Sequence, residues 1–420
     1  METSINNGWR IVKFKDCITQ LNTGLNPRDN FTLGNGSIKY ITAKNLTKHG
    51  RIDFTKCDYI DERAKRIINK RSDIRIGDIL FSSRAPIGQC HLIKEEPKSY
   101  DIGESIFAIR VNKEVVLPEY LCLYLASDYF VKAASKHTTG SIILEIRVGD
   151  LMNTDVIIPP KKVQENISKC INSIDEKIYQ NDSINNNLSK QIESLYNYWF
   201  TQFDFPDTDG KPYCSSGGKM IYNEILKRNI PECFTVHNLL DLVSWESNSQ
   251  PPKSEFVYSP QKGYVRFIQN RDYDSNEHIT YIPYKSNLSI VNKYDILIDK
   301  YGDAGATRYG IEGAFNVALG KINVKSESHL EYIRSFLSSQ SIYTYLHNSC
   351  MASTRASLSE ANLEPIKISI PPTNIINKFQ EIVHRLRETI LHNMEENEKL
   401  IILRNELLPV LMNGQATIID

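Results

Sequence analysis

Two stretches of this chain stop and restart in the same way. "IIPPKKVQENI" (157–167) and "ISIPPTNIINKF" (368–379) each carry an apolar run into a double proline, and a long series of spaced aliphatics follows. Pro159 and Pro371 lie 371 − 159 = 212 positions apart, about half of the 420 residues. Past the first pair the series runs Ile171, Ile174, Ile178, Asn181, Asn185, Leu188, Ile192, Leu195 and Trp199. Adding 212 leads to Val383, Leu386, Ile390, Asn393, Asn397, Leu400, Arg404, Leu407 and Leu411. Both series keep the alternating steps of three and four that make a coiled-coil seam. Both place two asparagines at the same two seam positions. Such agreement at one offset indicates an internal duplication, which governs every later reading.

The match continues upstream with small changes in length. "GDILFSSRAPIGQ" (77–89) answers to "YDILIDKYGDAGA" (294–306), "YITAKNLTKHGRIDF" (40–54) to "FIQNRDYDSNEHITY" (267–281), and "GWRIVKFKD" (8–16) to "CFTVHNLLD" (233–241). Short apolar alternations such as "SIFAIRV" and "YDILI", broken by Gly, Asn and Asp, predict strands. Residues 118–136, opening on Pro118, and their counterpart 330–348 have helical spacing. The expected fold is α+β, with two mixed domains and two long helices in tandem. The expected boundaries are 1–158 for the first domain, 159–202 for its helix, 203–230 for a Gly/Pro-rich connector, 231–370 for the second domain and 371–414 for its helix.

A lone helix with an apolar stripe is marginal in water, so two in one chain are expected to pack on each other. Each seam is on the order of 50 Å long at 1.5 Å per residue. Parallel and antiparallel pairing both satisfy the pattern. The seam asparagines admit two readings: polar pairs that penalise slipped registers, or solvated positions where the helices splay.

Composition narrows the chemistry. The hydrophobic share of 41% and charged share of 24% are those of an ordinary globular protein. No run of about 18 apolar residues occurs, so no membrane span is expected. "METSINNGWRIVKFKD" does not resemble a signal peptide. Eight cysteines without a C-x-x-C pattern argue against a zinc ribbon or disulfide framework and fit a reducing cytoplasm. There is no G-x-x-x-x-G-K-[ST], no N-P-P-Y or D-P-P-Y, and no H-E-x-x-H among the nine histidines. No catalytic site, metal or cofactor is expected. "GDAGATRYG" (302–310) lacks dinucleotide spacing. "PDTDGK" (206–211) looks like nuclease carboxylates with a lysine, but it sits among Gly and Pro and reads as a turn. The 50 basic and 50 acidic residues cancel, which fits a nucleic-acid binder only if the basic residues cluster or a partner helps.

One cluster is "ERAKRIINKRSDIR" (62–75), which suits phosphate contact and equally a solvated helix face. Loops rich in Arg, Lys, Asn and Gln can read base edges, Arg to guanine and Asn or Gln to adenine. Two similar domains with diverged loops suit an asymmetric target in two parts, such as half-sites roughly 34 Å apart on DNA.

The chain resembles the specificity subunit of type I restriction–modification enzymes over almost its whole length. The resemblance rests on Pro159-Pro160 with Gln164 and the helix behind them, on "FDFPDTDGKPYCSSGGKMIY" with "IPECF", and on "GDILFSSRAPIG". It implies two target-recognition domains joined by antiparallel helices, each domain reading one part of a bipartite site, with helix length setting the gap. It implies no catalysis by the chain itself. The implied partners are double-stranded DNA, two methyltransferase subunits docked on the helices, and motor-endonuclease subunits, with no membrane. Two departures stand out: Ile376 where glutamine is expected, and Cys233-Phe234 where the first copy has Gly8-Trp9. Candidate DNA-binding residues are Lys44, Asn45, Arg51, Arg84, Gln89, Ser141 and Arg147 in the first domain. In the second they are Gln269, Asn270, Arg271, Lys300, Arg308, Thr354 and Arg355. The alternatives are a stand-alone restriction endonuclease, or a protein scaffold that does not touch DNA.

Overall fold

The computed structural model describes residues 8–28, 30–135, 145–274, 278–351, 357–416 and 418. The chain forms two compact units, one of Met1–Tyr179 with Glu398–Asp420 and one of Gln180–Asn397. Each unit takes one globular region, part of the central helix Lys161–Tyr196 and part of the C-terminal helix Thr373–Met412. Among the described residues, no helix is long and apolar enough to cross a membrane.

In the first unit, strand Arg10–Lys13 pairs antiparallel with Asp155–Ile158. A four-stranded antiparallel sheet follows, in spatial order Ile18–Thr23, Ile106–Val111, Ile79–Ser82 and Cys90–Leu92. A three-stranded sheet centres on Ile38–Ile41, antiparallel to Asp58–Ile60 and parallel to Tyr100–Ile102. The second unit repeats this plan. Thr235–Asn238 pairs with Lys367–Ile370. Its first four-stranded sheet runs Val243–Ser247, Leu319–Val324, Ile296–Asp299 and Thr307–Arg308. Its other sheet has Tyr264–Ile268 antiparallel to Tyr281–Pro283 and parallel to Gly313–Phe315, and adds a fourth strand, Ile290–Val291, antiparallel to Gly313–Phe315.

Registers repeat as well as order. Tyr40 faces Asp101 as Phe267 faces Ala314. Ile79 faces Ile109 as Ile296 faces Ile322. A slip of one residue would turn every buried side chain to solvent, so a repeated apolar alternation imposes a repeated register. Gly88 and Gly305 hold one shared loop position with φ of +82° and +94°. A Cβ on Gly88 would lie 2.3 Å from Val131, and one on Gly305 would lie 2.9 Å from Leu346. The α+β class and the tandem repeat are borne out.

The double prolines act identically in the two copies. Strands Asp155–Ile158 and Lys367–Ile370 stop at Pro159 and Pro371, since proline has no N–H for a ladder. The carbonyl of Pro160 then accepts from the N–H groups of Val163 and Gln164, as that of Pro372 does from Ile375 and Ile376. The departure at Ile376 has a structural answer. Gln164 is buried, accepts from the Leu117 N–H at 2.8 Å and donates to the Pro159 carbonyl. Ile376 fills that place with hydrocarbon, and Gln380, one turn later, accepts from the Glu331 N–H at 2.9 Å. Phe234 is likewise buried where the first copy has the half-buried Trp9.

The core of the first unit joins Phe14, Phe81, Tyr120 and Phe130 to Ile167 and Ile171 of the central helix and Leu408 and Leu411 of the C-terminal helix. In the second unit, Phe200 lies edge-on to Tyr332 and Phe379 with ring centroids 4.7 and 4.9 Å apart. Segment 203–230 is packed too. Phe205 stacks on Tyr213 at 4.7 Å, and Met220–Asn223 and Arg228–Pro231 form a hairpin. Asp207 accepts from the N–H groups of Asp209 and Lys211, so "PDTDGK" is a turn.

The helix pairing is antiparallel. In the second unit Asn181 donates to Asn397 at 2.9 Å, and Asn393 donates to Asn185 at 2.9 Å. Under the 212-residue offset these two pairs exchange places, the mark of a two-fold relation between duplicated helices. Asn397 also donates to Asp182 at 2.8 Å, and Asn181 to Glu396. The seam asparagines are therefore polar pairs and not splayed, solvated positions. The expected seam residues Ile171, Ile174, Ile178, Val383 and Ile390 are buried, and Leu188, Leu386 and Leu400 half-buried. Arg404 interrupts the apolar frame where Ile192 stands in the other copy. In the first unit its Nε donates to Asp175 at 2.6 Å.

Candidate nucleic-acid interface

Asparagine, glutamine and arginine serve base recognition only if they offer free donors or acceptors at a surface. In the first unit Lys44 is exposed on the turn Ala43–Asn45. Asn45 is set inside the fold at 4% exposure: its Oδ1 accepts from the Thr42 N–H, and its Nδ2 donates to the carbonyls of Asp53 and Lys56. Gln89 is buried as well, with its N–H donated to the Ser82 hydroxyl. Arg51 pairs with Glu176 and lies 4.0 Å over the Tyr179 ring, both on the central helix. Arg84 pairs with Glu104 at 2.8 Å and Glu145 at 3.1 Å while staying 38% exposed. Arg147 is exposed at the N-cap of helix Val148–Asn153, two residues from Glu145. Ser141, Thr354 and Arg355 lie outside the described residues.

In the second unit one turn, Asn270–Tyr273, gathers three candidates. Gln269 caps it, and its Nε2 donates to the Thr280 hydroxyl at 3.0 Å. Asn270 is half-buried beside Asp299. Arg271 is exposed and reaches the His278 carbonyl at 3.5 Å. Arg308 donates Nε and Nη2 to one oxygen of Asp299, at 3.1 and 2.8 Å, and Nη2 also meets Asp303 at 3.3 Å. Its guanidinium lies over Tyr273, with 5.6 Å to the ring centroid. Lys300 is half-buried with its backbone fixed on Ala318.

The charges follow from these placements. Burial pushes the Asp299 carboxyl up, and Arg308 draws it back. The Asn26 amide, donating at 2.6 Å, and the Arg84 guanidinium hold Glu104 below the usual carboxylate range. Arg308 is thus held by Asp299 along the Nε/Nη2 edge of a planar fork that carries five N–H donors, and Arg84 is held by two carboxylates, Glu145 at Nε and Glu104 at Nη1. An arginine so held keeps its remaining donors oriented toward an outside acceptor.

Asp299, Asp303 and Tyr273 escaped the sequence reading, because acids looked irrelevant to DNA. The signal was a carboxylate closing the buried strand "DILID". The cluster of Glu331, Arg334 and Arg387 under the Tyr309 ring was missed as well. It joins helix Leu330–Ser338 to the C-terminal helix.

The chain is similar to known proteins over most of its length. A family model described as the type I restriction modification DNA specificity domain matches residues 6–194 and again 231–401. The chain is 25% identical to the type I restriction enzyme MjaIX specificity subunit of Methanocaldococcus jannaschii, over 98% of this chain and 94% of that one. It is 24% identical to the HindI specificity subunit of Haemophilus influenzae, over 84% and 88%. The crystal structure of a type I restriction-modification S subunit from M. genitalium superposes with a TM-score of 0.59 and covers 97% of both chains, at 14% identity. The two matches, one on each repeat, span most of the length: this chain belongs to the type I restriction modification DNA specificity domain family.

Proposed function

We propose that this chain is the DNA-specificity subunit of a type I restriction–modification complex, and that it performs no chemistry itself. Each globular region reads one part of an asymmetric bipartite site. The paired helices set the gap and dock two methyltransferase subunits, and motor-endonuclease subunits join the full complex. The observation that carries this reading is the doubling of one frame. Strand order and register repeat between the units apart from the added strand Ile290–Val291, while the loops differ in length and side chains. A duplicated frame with unlike loops suits two unlike half-sites. The readers favoured by exposure are Lys44, Arg84 and Arg147 in the first unit, and Asn270, Arg271, Lys300 and Arg308 in the second.

The test is methylation mapping of DNA from cells that express the chain with its methyltransferase partner. Methylation confined to two dissimilar half-sites at a constant gap supports the proposal; a palindromic target contradicts it. Removing one turn from both long helices shortens the gap and leaves the half-site bases unchanged. A stand-alone nuclease would show magnesium-dependent cleavage lost in Asp209→Ala; with the Asp207 carboxylate spent on its own turn, no cleavage is expected.

A further inference from the structure

The first unit carries a helix, Glu62–Ser72, with no counterpart among the described residues of the second. The corresponding span of the second unit, 284–289, contains no helix and one cation, Lys285, which is bound to both oxygens of Glu255 at 2.8 Å. On the helix, Arg63, Arg66, Lys70 and Arg71 are exposed. Among the described residues no hydrogen bond or ion pair holds any of these four side chains.

Helix stability does not explain all of these charges. Lys70 and Arg71 suit the negative end of the helix dipole. Arg63 lies in the first turn, where the dipole disfavours a cation, and no ion pair joins Arg66 to Glu62 four residues earlier. Arg63, Arg66 and Lys70 follow i, i+3, i+7 spacing and form one stripe.

The helix is also held rigidly. Ala64 and Ile68 are buried against Ile38, Tyr40 and Ile60. Asp61 caps its start by accepting from the Ala64 N–H at 2.7 Å. At its end Ser72 donates to Asp101 at 2.7 Å, and Arg110 ties Asp73 to Asp78 with contacts of 3.1 and 2.8 Å. A stripe on a helix whose backbone is already held meets a row of phosphates with only its side chains left to order.

We propose that Arg63, Arg66 and Lys70 form a phosphate anchor for duplex DNA, so that the first unit carries more of the sequence-independent attraction than the second. This rests on the DNA-reading function proposed above. Phosphate contacts position a protein and carry no base information. The anchor therefore sets salt dependence and leaves site choice alone.

The test measures binding of the full chain, with its methyltransferase partner, to its mapped target duplex and to a random-sequence duplex across a salt series. Each phosphate contact contributes a slope of about −0.9 in log K against log salt. Arg63→Ala/Arg66→Ala/Lys70→Ala should make the slope shallower by about 2.7 on both duplexes, so that its affinity falls about 40-fold less than wild type between 50 and 200 mM salt. The ratio of target to random binding should not change. Arg63→Lys/Arg66→Lys/Lys70→Arg should keep the wild-type slope, which separates lost charge from lost fold. A folded alanine variant with the wild-type slope, or a changed target-to-random ratio, overturns the anchor. Wild-type protein that binds both duplexes equally, or neither, overturns the DNA-reading function instead.

Discussion

The two units share a frame and differ in how that frame meets the helices. In the first, a cleft of about 450 Å³ opens between the globular region and the helix segments, lined in part by Leu92, Glu119, Cys122, Asp175 and Arg404. In the second, the matching positions are filled. Tyr309 stands in place of Leu92, Arg334 of Cys122 and Arg387 of Asp175, around Glu331 in place of Glu119. The rings and guanidiniums pack closely, with Arg387 4.2 Å and Arg334 5.2 Å from the Tyr309 centroid. Register is decided by backbone pairing and apolar alternation, which duplication copies. The contents of the joints and loops are free to diverge.

The two joints should differ most at the shared glutamate position, Glu331 and Glu119. Glu331 is fully buried and is the carboxylate that faces two buried guanidiniums. Glu331→Ala leaves those charges uncompensated and should destabilise the second unit by about 3–5 kcal/mol. Glu119→Ala, at the exposed matching position, should stay within about 0.5 kcal/mol. Urea unfolding of both variants checks this; equal losses would mean that the two joints are energetically alike.

A second contrast lies in the parallel strand pair, where Asp101 occupies the place of Ala314. Burial pushes the Asp101 carboxyl from 3.8 up to about 6, against hydrogen bonds from Ser72 and Ile102. A carboxyl whose value is raised by folding binds its proton more tightly in the native state. Its stabilising contribution is full below about pH 4 and is lost as the pH rises through about 6. Asp101→Asn keeps an acceptor for both donors. It should match wild type at pH 4 and exceed it by about 2 kcal/mol at pH 7. A pH-independent difference in thermal unfolding would contradict this.

The smallest effect probes the likeness of the helices. Asn181→Leu leaves the Asn397 amide short of a partner and should cost about 1–2 kcal/mol. A double-mutant cycle with Asn397→Leu should show coupling of about 1 kcal/mol, and the cycle on Asn185 and Asn393 a similar value. Coupling in one pair alone would break the two-fold relation.

Much of this was legible because it is periodic. The seam, the double prolines and the three matched segments follow from apolar spacing, and the strands appear in the matched order and register. The antiparallel sense did not follow from the seam, since parallel helices would show the same spacing. Individual readers were harder to find. Asn45 and Arg84 look alike in a loop sequence, and only the fold shows that one is spent on backbone groups while the other stays at the surface. Arg404 gave a readable hint, a charge in an apolar frame. Its partner Asp175 lies on the other helix, at a distance in sequence that no local pattern covers.

Under the proposed function each unit reads its own half of the target. This is tested most directly by replacing residues 243–363 with the matching segment of the Haemophilus influenzae relative and mapping methylation in cells. One half-site should change while the other half and the gap persist; a change in both halves, or in neither, would rule out separate readers.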